Sequence, residues 1–152
     1  MTLRVRFTEA VKQAMRDKDA ARLSTMRMIT ARLKDLDIAA RPRGVDGIGD
    51  DEIVSMLRTM VKARAEASAL YTQGGRGELA AKEDAEIVVI EEFLPAPMDE
   101  AAVVQAVAAA VAETGATSPK DMGRVMAALK AAHGPALDLS RANALVKARL
   151  SA

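Results

Sequence analysis

Cysteine and tryptophan are missing from this chain of 152 residues, histidine occurs once, and the aromatic residues are two phenylalanines and one tyrosine. Each scarcity removes a class of chemistry. Without cysteine there is no disulfide, no thiolate nucleophile and no Cys-ligated zinc or iron–sulfur centre, and a reducing compartment is the natural setting. His133 alone cannot make a histidine cluster. Long hydrophobic runs are absent too: the most apolar segment, VVQAVAAAVA at residues 103–112, is too short and too rich in alanine to cross a bilayer. The first residues, MTLRVRFTEAVKQAMRDKD, carry a charge every few positions and lack the apolar stretch of a signal peptide, so a cytoplasmic location is expected.

What is present is an ordinary globular composition, 50% apolar and 28% charged. With aromatics at 2%, the core has to be built from Ala, Leu, Val, Ile and nine methionines, side chains of modest or adaptable volume that suit helices. An all-α fold is the expectation.

Charge is uneven along the chain. Residues 1–43 hold 11 Lys and Arg against 5 Asp and Glu, residues 44–98 hold 5 against 11, and residues 99–152 hold 6 against 5. Basic and acidic helices can face one another across a bundle, or part of the basic surface can stay open for phosphates. Both readings are compatible with these counts.

Helical periodicity runs through most of the sequence. Residues 2–17 place Phe7, Val11, Ala14 and Met15 on one face. Asp19 is a candidate N-cap for a helix to about Ala40, with Leu23, Met26, Ile29, Leu33 and Leu36 at spacings of 3 or 4. Pro42, Gly44, Gly47 and Gly49 make residues 41–49 a loop, expected to be the most flexible stretch. Asp50 or Asp51 then caps a helix bearing Ile53, Met56, Met60, Ala63, Ala67 and Leu70, which ends at Gly74 and Gly75. A fourth helix follows from about Glu78 to Phe93. Two helices of about 22 residues would each reach about 33 Å, which gives an elongated bundle or hairpin.

Pro95 and Pro97 cannot continue a helix and mark the domain boundary, with residues 1–94 before it and a three-helix domain, residues 99–152, after it. In that second part Asp99 caps the first helix and Gly115 ends it. Ser118, Pro119 and Asp121 form a capping box with proline at the first helical position, and Asp138 starts the last helix.

The motifs of phosphate-cradling loops, nucleophile elbows and zinc helices do not occur. The run Gly74, Gly75, Arg76, Gly77 lacks the Lys-Ser/Thr of a nucleotide loop and reads as a turn between helices, while His133 just before Gly134 complements the negative end of a helix. Glu83 and Glu86, three apart on one helix face, could do acid–base work or hold a metal. With Lys62, Arg64 and Arg76 nearby in the hairpin, a partly buried salt-bridge network is the better reading. No catalytic centre, cofactor site or metal site follows from these residues.

Two long segments carry a resemblance: EIVVIEEFLP at residues 86–95 and ETGATSPKDMGRVM at residues 113–126. Shorter ones keep the same order, namely MRDKD at 15–19, RLSTMR at 22–27, KAR at 62–64 and GRGEL at 75–79. Together they resemble the YqeY family, whose fold is shared with the tail of the GatB subunit of glutamine-dependent aspartyl/glutamyl-tRNA amidotransferase, over essentially the whole chain. The resemblance implies a helical N-terminal domain and a small three-helix domain. It also implies tRNA, and with it the amidotransferase or aminoacyl-tRNA machinery, as partners: a tRNA-binding accessory role related to tRNA-dependent amidation. Any carbon–nitrogen ligase activity with glutamine as amido donor would belong to the larger enzyme, whose catalytic domains this chain lacks. Carried over residue by residue, the RNA contacts would be Lys120 and Arg124, near the positive end of a helix, with Lys130 and Lys147. Backbone recognition of this kind needs no aromatic platform. The chain departs from the family pattern at Pro135, where a basic residue is usual, at Leu137, which reads as an insertion, and in the glycine-rich residues 44–49. A protein-interaction adaptor, its basic first helices docking an acidic partner, is the alternative.

Overall fold

The computed structural model describes residues 1–152 apart from the side chain of Pro135, so the departure noted at that position lies outside the described residues. Its helices are α1 (Leu3–Arg16), α2 (Ala20–Ala40), α3 (Asp50–Gln73), α4 (Gly77–Glu91), α5 (Glu100–Thr114), α6 (Met122–His133) and α7 (Leu139–Leu150), with short 3-10 turns at Arg41–Arg43, Pro119–Asp121 and Gly134–Ala136. Among the described residues there is no strand, and the fold is all-α. Contacts divide the chain into two compact units, Met1–Leu94 and Pro95–Ala152.

Four of the seven helices start where a short polar side chain satisfies an orphan N–H group. Thr2, Asp19, Asp99 and Asp138 accept from the backbone N–H three residues on. Helix α3 begins differently, because its N-cap is Gly49 and Asp50, Asp51 and Glu52 lie inside the first turn, where carboxylates complement the helix dipole. The turn between α1 and α2 closes through Lys18, whose φ of 56° is the left-handed conformation usually left to glycine.

The core of the first unit joins all four of its helices. Phe7, Met26, Ile29, Ile53, Leu57 and Ile90 are fully buried there, and Phe93 meets Phe7 edge to face at 5.1 Å between ring centroids. The Arg6 guanidinium lies 5.2 Å over the Phe93 ring and donates to the Glu92 carbonyl, while Arg22 grips the Glu92 carboxylate with both terminal nitrogens. The chain after α4 is thereby fixed to α1 and α2.

Three expectations change. Met15 is 57% exposed, because α1 turns toward the bundle through Leu3, Phe7 and Ala14 instead. The apolar stripe of α3 stops being core after Met60: Ala63 is exposed and Leu70 is 67% exposed. A helix of 24 residues extends about 36 Å, and its second half packs with α4 as a two-helix hairpin lined by alanines. Residues 41–49, finally, are not a free loop. Ile48 is buried in the core, its N–H donates to Asp37 Oδ1 at 2.9 Å, and its carbonyl accepts from Arg4 Nη2 at 2.8 Å.

The second unit has its own core of Val103, Val107, Ala110, Val125, Leu129, Leu137, Ala142 and Val146. Leu137, the apparent insertion, is fully buried in it. No single helix among the described residues is long and apolar enough to cross a membrane. Helices α5 and α6 with the turn before α6 reach that length only as a pair bent by 97°, and their apolar faces are occupied by this core.

Candidate functional site

The carried-over residues surround the junction between α5 and α6. Gly115 ends α5 in the left-handed conformation, φ 68°, which lets the Ala116 N–H reach back to the Val111 carbonyl. The chain then runs extended into Ser118, whose capping box with Asp121 is complete. The Asp121 carboxylate also accepts from the Thr117 N–H at 3.0 Å and from Arg124 Nη2 at 2.7 Å. These donors, Thr117 first and Arg124 next, hold the Asp121 carboxyl below its usual range. Arg124 Nη1 donates in addition to the Thr114 carbonyl at 3.1 Å.

Arg124 is therefore a strut between the last turn of α5 and the first turn of α6. Its side chain is still 60% exposed, so its unused N–H groups face solvent. Lys120 and Lys130 are exposed and have no ion-pair or hydrogen-bond partner among the described residues. Lys120 lies in the 3-10 turn before α6 and Lys130 on the outward side of α6, opposite buried Val125 and Leu129, near exposed Gly123, Ala127 and Ala131. A Cβ built on Gly123 would meet nothing within 4 Å, so among the described residues nothing packs on that position. Lys147 is exposed on α7, and no bond holds it to the α6 row. His133 is the last residue of α6, in the turn where cations complement the dipole.

The other predicted cluster divides. Arg64 Nε donates to Glu86 Oε2 at 3.0 Å, with the two side chains 15% and 14% exposed. Arg64 also donates to the Met60 carbonyl and approaches Met28 Sδ, so one guanidinium touches α2, α3 and α4. Arg76 pairs instead with Glu78 at the exposed end of the hairpin, because residues 74–77 turn it away from α4's inner face. Lys62 is exposed and Glu83 half-buried, and neither joins the pair. The link facing that inner side is Ser68 Oγ to Asp84 Oδ1, 2.7 Å. Among the described residues, no group of three or more His, Cys, Asp or Glu side chains is placed to hold a metal ion.

Sequence reasoning missed the arrangement of Arg4, Asp37 and Ile48. Arg4 binds the Asp37 carboxylate through both terminal nitrogens, at 2.8 and 2.7 Å, and this contact, with the Ile48 N–H, holds the Asp37 pKa down to about 2. Arg4 and Asp37 lie 33 positions apart, and no local pattern joins them. A cleft of about 530 Å³ lies beside it between α2 and α3, floored by Leu36, Met56 and Met60 and edged by Arg32, Arg43 and Glu52. It contains no nucleophile paired with a base.

Against known families, the model for Yqey-like protein matches residues 4–150. This chain belongs to the YqeY family. The match spans nearly all of α1 to α7, both units included. No curated protein matches the chain.

Proposed function

We propose that this YqeY chain is a tRNA-binding accessory module, related to tRNA-dependent amidation and not catalytic by itself. The observation that carries the reading is the outward face of α6, where Lys120, Arg124 and Lys130 border an uncovered surface of glycine and alanine. Small residues let a sugar–phosphate backbone come close, and the flanking cations meet its phosphates without reading bases. Family membership supports the relation to GatB/YqeY-type proteins.

The experiment is a titration of bulk tRNA at several salt concentrations. Wild type is expected to bind with a steep salt dependence. Lys120→Gln with Lys130→Gln should lower the slope of log K against log salt by about 1.5. Both lysines lack internal partners, so this pair tests the contact, whereas Arg124→Glu would also remove the strut to Thr114. Absence of any tRNA complex at low salt would overturn the reading. So would release of ammonia from glutamine by the isolated protein, which would make it an enzyme. The cleft between α2 and α3, with Arg32 and Arg43 beside an apolar floor, supports a second reading as an adaptor for an acidic helix. A stable protein partner retained after nuclease treatment would favour it.

A further inference from the structure

Six of the sixteen cations of the first unit are used in ion pairs, while Lys18, Arg32, Lys62 and Lys82 are exposed without a side-chain hydrogen bond or ion pair among the described residues. Arg4, Lys12, Arg22, Arg43, Arg64 and Arg76 each have a carboxylate partner. Arg27, Lys34 and Arg41 are also exposed, and none has a side-chain hydrogen bond or ion pair among the described residues. They fall seven residues apart, two turns each time, so they line up along one side of α2 and its terminal turn. The row is about 21 Å long with steps of about 10 Å. It lies away from the core side, which is marked by Met26, Ile29, Leu33 and Ala40.

Asp37, the acid on the helix nearest Arg41, feels the Arg41 charge but accepts its hydrogen bonds from other donors. Asp37 is engaged by Arg4 and by the Ile48 N–H, and this same arrangement fixes the segment after Arg41 to the core. Asp35 is the remaining carboxylate of α2. Between the cations the surface is made of Thr30, Ala31, Asp37 and Ile38, the last 45% exposed. One partly exposed isoleucine is too little apolar area for a protein interface core or for insertion into lipid. A row of separated, solvated cations on a rigid helix suits a phosphate backbone.

We infer that the outer face of α2, through Arg27, Lys34 and Arg41, is a second binding surface for an RNA backbone, on a different unit from the α6 face. The inference rests on the tRNA-binding reading and extends it: the chain holds RNA through both units, and each supplies its own part of the salt dependence.

Beside the Lys120→Gln, Lys130→Gln pair, three full-length proteins decide it: wild type, Arg27→Gln with Lys34→Gln and Arg41→Gln, and a control with Lys12→Gln, Arg76→Gln and Arg141→Gln, the last of these an arginine paired with Glu100. Glutamine preserves helix propensity, and circular dichroism checks the fold. Both variants lose three positive charges. With bulk tRNA, the α2 variant should lower the salt slope by about 2, the control leaving it near wild type. Equal losses in the two variants would reduce the effect to net charge and overturn the inference. An unchanged α2 variant beside a weakened Lys120→Gln, Lys130→Gln variant would overturn it while leaving the functional reading in place. If wild type binds no tRNA, that reading falls and takes the inference with it. Loss of binding to phosphatidylserine vesicles by the α2 variant, with tRNA binding intact, would assign the face to a membrane surface and overturn the inference as well.

Discussion

Asp37 is half-buried, yet it accepts two hydrogen bonds from Arg4 and one from the Ile48 backbone, and these outweigh the cost of removing the carboxylate from water. Its pKa falls from 3.8 to about 2. A depressed carboxylate pKa means that the contribution to stability is complete above pH 3.8 and is lost as pH falls through about 2. Because the Arg4 side chain is 40% exposed, solvent screening reduces that contribution to about 1 kcal/mol. Wild type should therefore be more stable than Arg4→Met at pH 6, with the gap in urea midpoint closing between pH 4 and pH 2. Gly47→Ala should behave in the same direction. Its Cβ would sit 2.8 Å from Arg4 Nη2 and 3.0 Å from Asp37 Oδ1, forcing the guanidinium off the carboxylate. A gap that stays constant with pH in both variants would remove Asp37 as its cause.

At the scale of the element, α3 shows where periodicity stops being informative. The spacing of Ile53, Met56, Met60, Ala63, Ala67 and Leu70 is regular throughout, but burial ends at Met60 because only part of the helix has α1 and α2 to pack on. The hairpin beyond relies on polar links, with Arg64 and Glu86 the most buried of them. Removing one partner of such a pair leaves a charge with no counter-ion. Glu86→Gln or Arg64→Met alone is expected to cost about 2–3 kcal/mol, and Arg64→Met combined with Glu86→Leu should recover most of it. Urea denaturation of the three variants measures this. Additive losses in the double variant would show that the pair contributes through something other than its charges. A set of opposite charges able to pair between α3 and α4 was legible. Which members meet was not, since Arg76 and Glu83 depend on how residues 74–77 turn.

At the scale of the molecule, two separate cores each draw on one unit alone. A fragment of residues 1–94 is therefore expected to fold by itself, with a cooperative thermal transition and an Asp37 pKa still near 2. Helical circular dichroism and a carboxylate titration by nuclear magnetic resonance test both; an unfolded fragment would mean that its core needs residues beyond Leu94. The near balance of charge also resolves at this scale. Acidic residues of α3 and of the turn that ends α4 neutralise particular cations of the basic first block, as Glu52 does for Arg43 and Glu92 for Arg22. The reading of basic and acidic helices facing one another thus holds in part; among the described residues Arg27, Arg32 and Lys34 on α2 have no ion pair, and neither do Arg16 and Lys18 outside it.

By itself the sequence determined the elements. The missing aromatics left a core of aliphatic residues on helices, the caps at Asp19, Asp99 and Asp138 lie where local hydrogen bonding demands them, and the capping box at Ser118 opens the segment leading into α6. Such features involve residues within four positions of each other, so a linear reading captures them. Tertiary structure alone decided which charges are spent and which stay free. Arg4 finds Asp37 across 33 positions and Arg22 finds Glu92 across 70, and neither pairing has a local signature. The same holds for Arg124, whose bond to the Thr114 carbonyl depends on the turn through Gly115. Burial and pairing are properties of packed surfaces, and they separate the cations that hold this protein together from those left exposed to solvent.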